Sequence, residues 1–179
     1  MSADASPKPA DAPVDHGRRA LLRGRPAGPP PVRPPWTDEA RLADACTRCG
    51  ACLSACPEDI LVAGSGGLPA VDFHAGGGEC IFCHACVDAC PEPVFEAERD
   101  PPWRLSVTIA QDRCLPHAGV HCEACRDACP EGAIRFAPRL GGPPTPEILP
   151  ERCTGCGACV GVCPEEAVAI APARREAPA

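Results

Sequence analysis

Cysteine is the residue type most able to carry chemistry in this chain, because 16 of its 179 residues are cysteines. They form four groups of four, and no cysteine lies outside a group. Thiolates are strong ligands for soft metals, so this repetition predicts metal–thiolate centres. The groups are Cys46, Cys49, Cys52 and Cys56 (motif 1), Cys80, Cys83, Cys86 and Cys90 (motif 2), Cys114, Cys122, Cys125 and Cys129 (motif 3), and Cys153, Cys156, Cys159 and Cys163 (motif 4).

The spacing within the motifs indicates which metal group they bind. Motifs 1, 2 and 4 read C-x2-C-x2-C-x3-C-P, which is typical of bacterial [4Fe–4S] ferredoxins. Three cysteines with two residues between each can wrap around one face of a cubane cluster. The fourth cysteine begins a helical turn, which points its side chain away from that face. In two-cluster ferredoxins this fourth cysteine ligates the other cluster. We therefore predict that the 16 cysteines ligate the iron of four [4Fe–4S] clusters.

Structural zinc and disulfide bonds are the alternative uses of these cysteines. Structural zinc sites usually take two cysteine pairs separated by a longer loop, rather than four cysteines within one short run. Eight disulfides would require an oxidising compartment. The cellular location of the chain therefore bears on the choice.

The N-terminal stretch GRRALLRGR (17–25) resembles the start of a twin-arginine export signal. A cleavable signal needs about 7–15 apolar residues after its charged start, and here more arginines and prolines follow Leu21 and Leu22. The sequence therefore predicts a cytoplasmic protein with reduced thiols. The stretch is then either a solvated basic segment or a docking element built on Arg18, Arg19, Leu21 and Leu22.

Composition excludes several classes of function. A net charge of −7 argues against nucleic acid as the main partner, since phosphates are neutralised by clustered Lys and Arg. No stretch approaches the ~20 apolar residues that span a bilayer. Four cysteines per cluster leave no iron open for a substrate, and GSGG (64–67) lacks the context of a nucleotide-binding loop. We expect a protein that is not an enzyme.

Motif 3 departs from the common spacing, because seven residues separate Cys114 from Cys122. The insert contains His117 and His121, which would be surplus to a complete set of four cysteines. We expect the insert to form a bulging loop. The hypothesis that follows is that the cluster using Cys114 is the most solvent-exposed or labile of the four.

The residue between the second and third cysteines also varies. It is Gly50 in motif 1 and Gly157 in motif 4, where a missing Cβ lets the backbone approach the cluster sulfurs. In motif 2 the same position is His84. This histidine either tunes the potential of a nearby cluster or is an incidental surface residue.

The segments between the motifs predict an α+β fold of two tandem bacterial-type two-cluster ferredoxin domains. Thr37 is the expected N-cap of a helix that leads into Cys46. RLSVTI (104–109) alternates polar and apolar residues like a strand, and LPAVDF (68–73) is the expected returning strand of the first domain. Short apolar pieces such as Val94-Phe95 after each motif predict further strands.

The domain boundaries follow from these elements. We predict a flexible proline-rich tail over residues 1–35, domain 1 over 36–101, domain 2 over 102–172 and a C-terminal tail over 173–179. The simplest pairing joins motif 1 with motif 2 and motif 3 with motif 4. A nested pairing of motif 1 with 4 and motif 2 with 3 is the alternative.

From Arg18 to about Ile170 the chain resembles the NapF family, the ferredoxin-type accessory proteins of periplasmic nitrate reductase systems. The cysteine runs would match any polyferredoxin, whereas GRRALLRGR, VRPPW (32–36) and the stretched motif 3 make the resemblance specific.

The resemblance implies a cytoplasmic protein with four [4Fe–4S] clusters that acts on the catalytic subunit of periplasmic nitrate reductase before its export. The expected role is maturation, by cluster assembly or reductive activation of that subunit. The alternative is an electron-transfer polyferredoxin that passes electrons to a redox partner.

Overall fold

The structure is a computed structural model that describes residues 29–173. The predicted docking residues Arg18, Arg19, Leu21 and Leu22 lie outside the described residues, as does the C-terminal tail after Ala173. Below, the first half denotes residues 29–101 and the second half residues 102–173.

The first helix among residues 29–173, α1 (Glu39–Ala45), leads into motif 1 as expected. Its N-cap is Asp38, whose carboxylate accepts the N–H groups of Ala40 and Arg41 at 2.9 Å each. The predicted cap, Thr37, is one residue too early. Thr37 is buried, and its hydroxyl donates to the carbonyl of Pro34 at 2.7 Å.

Each cysteine motif contains one short helix, and the third cysteine of the motif is always the second residue of that helix. The helix ends just before the fourth cysteine, so the third and fourth cysteines point in different directions from the same turn. These helices are α2 (Ala51–Ala55), α3 (Ala85–Asp88), α4 (Ala124–Asp127) and α5 (Ala158–Gly161).

The strands in the described part of the chain form three two-stranded antiparallel ladders. One hairpin joins the two motifs within each half: β1 (Leu61–Ala63) pairs with β2 (Pro69–Val71), and β4 (Ile134–Ala137) pairs with β5 (Thr145–Ile148). In the second half, β3 (Leu105–Ile109) also pairs with β6 (Val168–Pro172), with Val107 opposite Ile170. The strands predicted around 68–73 and 104–109 are thus present.

The first half lacks a full counterpart of the β3–β6 ladder. Its ends meet in a single bridge between Thr37 and Phe95. The strand predicted at Val94-Phe95 is therefore wrong. Two backbone hydrogen bonds flank this bridge, from Asp38 N–H to the carbonyl of Val94 at 3.1 Å and from Glu96 N–H to the carbonyl of Trp36 at 2.8 Å. The pairing ends there because α1 begins at Glu39.

The structure has the mixed helix and strand content of the predicted α+β class, and its helices show which motifs pair. Helix α2 packs against α3, and α4 packs against α5. Motif 1 therefore pairs with motif 2, and motif 3 pairs with motif 4, so the nested pairing is wrong. No helix among residues 29–173 is long and apolar enough to cross a membrane.

One apolar core extends across the boundary between the halves. Val32 and Phe73 from the first half pack in the same cluster as Trp103, Val160 and Val168 from the second half. A small protein with few large apolar residues buries more of them in one shared core than in two separate ones.

The predicted tail over 1–35 extends too far, because residues 32–35 belong to this core. Val32 is 8% exposed and Pro34 is fully buried. The carbonyl of Val32 accepts the N–H of Val71 at 2.8 Å, which ties this segment to the end of β2.

Truncation can test whether residues 32–35 belong to the core. Removing residues 1–28 gives the control protein. Removing residues 1–35 should lower the thermal midpoint of the iron-loaded protein clearly below that of the control, because the loss of a buried valine alone costs roughly 1.5–3 kcal/mol. Thermal melting followed by visible absorbance under anaerobic conditions measures both, and equal midpoints would contradict the assignment of residues 32–35 to the core.

Candidate metal centres

The structure brings the 16 cysteines together in four sets, each surrounding an open space. Three cysteines of a set come from one motif, and the fourth is the last cysteine of the paired motif. The sets are site 1 (Cys46, Cys49, Cys52 and Cys90), site 2 (Cys80, Cys83, Cys86 and Cys56), site 3 (Cys114, Cys122, Cys125 and Cys163) and site 4 (Cys153, Cys156, Cys159 and Cys129).

Three of the four motifs enter their helix through a left-handed residue. Gly50 and Gly157 have φ values of +78° and +95°, and His84 has a φ of +63°. These left-handed residues turn the chain sharply after the second cysteine, so that the third cysteine begins a helix. One helical turn later the fourth cysteine faces the partner motif. Motif 3 differs, because Glu123 takes this position with a φ of −133°.

The four sites fit a cubane cluster better than a single metal ion. All 16 thiols are free, and no three His, Cys, Asp or Glu side chains within residues 29–173 form a site for one ion. The thiols of sites 2, 3 and 4 instead each line one pocket together with apolar side chains. Four soft thiolates around one space are the donor set of a [4Fe–4S] cluster.

Burial shapes the acidity of these thiols. It raises the pKa of Cys86 and Cys159 to about 12, and that of Cys80 and Cys125 to about 11. Neighbouring thiols of the same site raise the pKa further by repulsion between thiolates. A buried thiol of this kind gives up its proton readily only when a metal supplies positive charge.

Two backbone amides donate to crossing cysteines in the second half. The N–H of Ala133 lies 3.3 Å from Sγ of Cys129, and the N–H of Ala167 lies 3.2 Å from Sγ of Cys163. Hydrogen bonds to ligand sulfurs stabilise the more negative, reduced form of a cluster and so raise its potential. No side-chain pattern indicates these contacts in the sequence, because the donors are backbone N–H groups.

The motif 3 insert is an ordered loop. The N–H groups of His117 and Ala118 donate to the carbonyl of Cys114 at 3.0 and 3.2 Å, and Nη2 of Arg139 donates to the carbonyl of Pro116 at 2.8 Å. The loop covers Cys114, which is 8% exposed. Neither histidine of the insert lines site 3.

The prediction that the site containing Cys114 is the most solvent-exposed of the four is wrong. The exposed cysteines among the described residues are Cys49 of site 1 and Cys83 of site 2. The insert adds chain over Cys114, whereas the shorter motifs 1 and 2 have no residues available to cover these two.

His84 is not an incidental surface residue. Its imidazole lies on the ring of Trp36 with centroids 3.7 Å apart, and both residues line site 2. This position favours the alternative that His84 influences the environment of site 2.

Four aromatic residues at the interface between the halves were not singled out from the sequence. The chain has only two Trp, four Phe and no Tyr, and Trp36, Phe73, Phe82 and Trp103 form a continuous series of edge contacts there. The scarcity of aromatic residues was the available signal.

Comparisons with known proteins agree with the cysteine pattern. Residues 40–91, 79–134 and 120–167 each match a family described as a 4Fe-4S dicluster domain. The match over 79–134 combines motifs 2 and 3, which the structure does not pair, because cysteine spacing alone cannot distinguish neighbouring motifs.

Relatives match over most of the chain. The ferredoxin-type protein NapF of Escherichia coli strain K12 is 43% identical over 142 residues, which cover 78% of this chain and 85% of that protein. The ferredoxin-type protein NapF of Haemophilus influenzae is 44% identical over 123 residues, which cover 68% of each chain.

A solved structure gives a weaker match. It is a formate dehydrogenase – heterodisulfide reductase – formylmethanofuran dehydrogenase complex from Methanospirillum hungatei, with 24% identity, a TM-score of 0.30, and coverage of 71% of this chain and 52% of that one. At this TM-score the superposition supports no argument.

Proposed function

Because the chain belongs to the NapF family of ferredoxin-type proteins, we propose that it matures the catalytic subunit of a periplasmic nitrate reductase in the cytoplasm, before export. It does so with four [4Fe–4S] clusters, either by supplying cluster components or by reducing the partner. The clusters supply one-electron redox chemistry when bound.

The observation that carries this proposal is the set of four complete cysteine sites. Each site has four thiols around one space, three from one motif and one from its partner. A complete set leaves no position for a substrate on iron, which supports a role in transfer and assembly rather than catalysis. The 4Fe-4S dicluster matches over residues 40–167 support the same cofactor.

Charge indicates what kind of surface the partner presents. The chain has a net charge of −7, and four thiolate-ligated clusters in the oxidised state would add about eight negative charges. A basic patch on the precursor is the complementary surface. The association should therefore weaken as ionic strength rises.

The experiment that tests the proposal is co-purification of anaerobically prepared protein with the catalytic-subunit precursor. Iron content and EPR spectra of both proteins are recorded before and after mixing. Cluster delivery should move iron to the precursor, whereas reductive activation should move electrons and leave the iron in place. If the two proteins do not associate at low salt, the maturation role is contradicted.

The basic N-terminal stretch offers a matched pair of variants for the docking hypothesis. Replacing Arg18 and Arg19 by alanine should weaken binding to the precursor about tenfold, while replacing Arg23 and Arg25 by alanine should have a smaller effect. Both variants lose two positive charges, so a difference reports the arginine pair itself. Affinity is measured by titration at fixed salt, and equal affinities for the two variants would contradict a specific docking role for Arg18 and Arg19.

The electron-carrier role is the second candidate, and the exposure of Cys49 and Cys83 favours it. These residues place one thiol of site 1 and one of site 2 at the protein surface, where a redox partner can approach. For a carrier, oxidised partner should become reduced by the reduced protein at a rate independent of the Arg18 and Arg19 substitutions. A maturation factor should lose this activity together with binding.

A further inference from the structure

The interface between the halves contains a direct link between two cysteine sites. The N–H of Cys80 donates to the carbonyl of Cys156 at 2.7 Å. Cys80 belongs to site 2, and Cys156 belongs to site 4. One hydrogen bond therefore joins a residue of site 2 to a residue of site 4.

Aromatic packing holds this link in place. Trp103 donates its Nε1–H to the carbonyl of Thr154 at 2.7 Å, two residues before Cys156. Its ring also meets two first-half aromatic rings, Phe82 at 5.6 Å and Phe73 at 6.2 Å between centroids. Trp103 thus fixes the loop of motif 4 against the segment that leads into motif 2.

Gly157 of motif 4 allows the close approach to the first half, and Gly155 allows the close approach of Trp103. A Cβ on Gly157 would lie 1.9 Å from Cδ1 of Phe73, and a Cβ on Gly155 would lie 3.1 Å from Nε1 of Trp103. No side chain fits at Gly157 without displacing Phe73. The backbone of motif 4 therefore contacts the first half directly, with no side-chain layer between them.

Motifs 1 and 3 take no part in this link. Among residues 29–173, none of their cysteines makes a backbone hydrogen bond to the other half. Site 1 is joined to site 2 through the packing of α2 on α3, and site 3 to site 4 through α4 on α5. The crossing cysteines Cys56 and Cys163 strengthen each of these connections.

We infer that the four sites form one series in the spatial order 1–2–4–3, joined across the halves at Cys80 and Cys156. The shortest bonded route between a thiol of the first half and a thiol of the second passes through these two residues and their hydrogen bond. The two halves then act as one redox unit, with sites 1 and 3 at its ends. The inference rests on the cysteines being cluster ligands, as proposed above.

Two double variants test the order. Cys49→Ala with Cys122→Ala removes one ligand each from sites 1 and 3, and Cys83→Ala with Cys153→Ala removes one ligand each from sites 2 and 4. Both should retain about eight iron atoms per chain in the remaining two sites. After reduction by dithionite, EPR should show spin–spin interaction in the first variant and two isolated signals in the second.

The outcomes separate the inference from the proposed function. Isolated signals in the first variant, or interaction in the second, would overturn the order 1–2–4–3. Iron content that does not fall in either variant would contradict the assignment of the cysteines as ligands, whatever the EPR shows.

If a double variant fails to hold iron, the two single variants of sites 3 and 4 test the order of the sites instead. Cys122→Ala should leave interaction between the halves intact, because site 3 lies at an end of the series. Cys153→Ala should abolish it, because site 4 makes the connection. The series in chain order, 1–2–3–4, gives the opposite pair of results.

Discussion

Replacing Cys56 and Cys86 together by alanine should cost one cluster, whereas replacing Cys56 and Cys52 together should cost two. The reason is the crossing of the fourth cysteine: Cys56 surrounds site 2 with Cys86, and Cys52 belongs to site 1. The expected losses are about four and about eight iron atoms per chain. Iron and acid-labile sulfide, measured on anaerobically purified protein, count the clusters that remain.

The second half provides an internal control for this experiment. Cys163 and Cys125 both belong to site 3, whereas Cys163 and Cys159 belong to sites 3 and 4, respectively. The first pair should again lose half as much iron as the second. If the fourth cysteine served its own motif, every one of these results would be reversed, so the four double variants decide between the two arrangements.

Gly157→Ala should be among the most damaging single substitutions outside the cysteines. Gly157 has a φ of +95°, and a Cβ there would lie 1.9 Å from the ring of Phe73. The left-handed backbone costs about 1–2 kcal/mol for a residue with a Cβ, and overpacking typically adds about 1–3 kcal/mol. Unfolding in denaturant under anaerobic conditions, followed by cluster absorbance, should show this combined loss.

Gly50→Ala is the matched control, because Gly50 occupies the same position of motif 1. Its φ is +78°, but nothing lies within 4 Å of a Cβ added there. This variant should therefore show the backbone cost without a clash against another side chain. Adding Phe73→Leu to Gly157→Ala should recover part of the lost stability, since the smaller side chain gives the new methyl group space. Equal losses at Gly50 and Gly157, or no recovery, would contradict the close contact with Phe73.

The cysteine motifs and their general chemistry could be predicted from the sequence because the information is local. A run such as motif 4 places three thiols within seven residues, and any folded form of that loop brings them near one point. Strand β2 was also predictable because it pairs locally with β1, and strand β3 because its alternating polar and apolar residues mark a strand even though its partner β6 lies far along the chain. The helix cap was predicted one residue early, because Thr37 and Asp38 are both good capping residues and only the packing of Thr37 on Pro34 distinguishes them.

Other elements could not be predicted because their causes lie far along the chain. Strand β5 contains Pro146, which argues against a strand, yet in a two-stranded ladder each strand is an edge and tolerates a missing N–H. The sequence predicts Val32 as part of the tail, because nothing nearby indicates that its carbonyl accepts the N–H of Val71, 39 residues later. The cover over Cys114 depends on Arg139, which no local pattern connects to the motif 3 loop.

The sequence by itself determined the number of cysteines, their grouping and the kind of metal cluster that such motifs bind. It could do so because the type of ligand and the spacing between ligands are properties of the sequence. Only the tertiary structure decided which motifs pair and which two sites meet between the halves. That decision rests on contacts between distant residues: α2 with α3, α4 with α5, and Cys80 with Cys156. Spacing cannot specify them, because motifs of nearly equal sequence could pair in several ways. The packing of the helices sets the pairs of motifs, and the packing of Phe73 and Phe82 on Trp103 holds the two halves together where sites 2 and 4 meet.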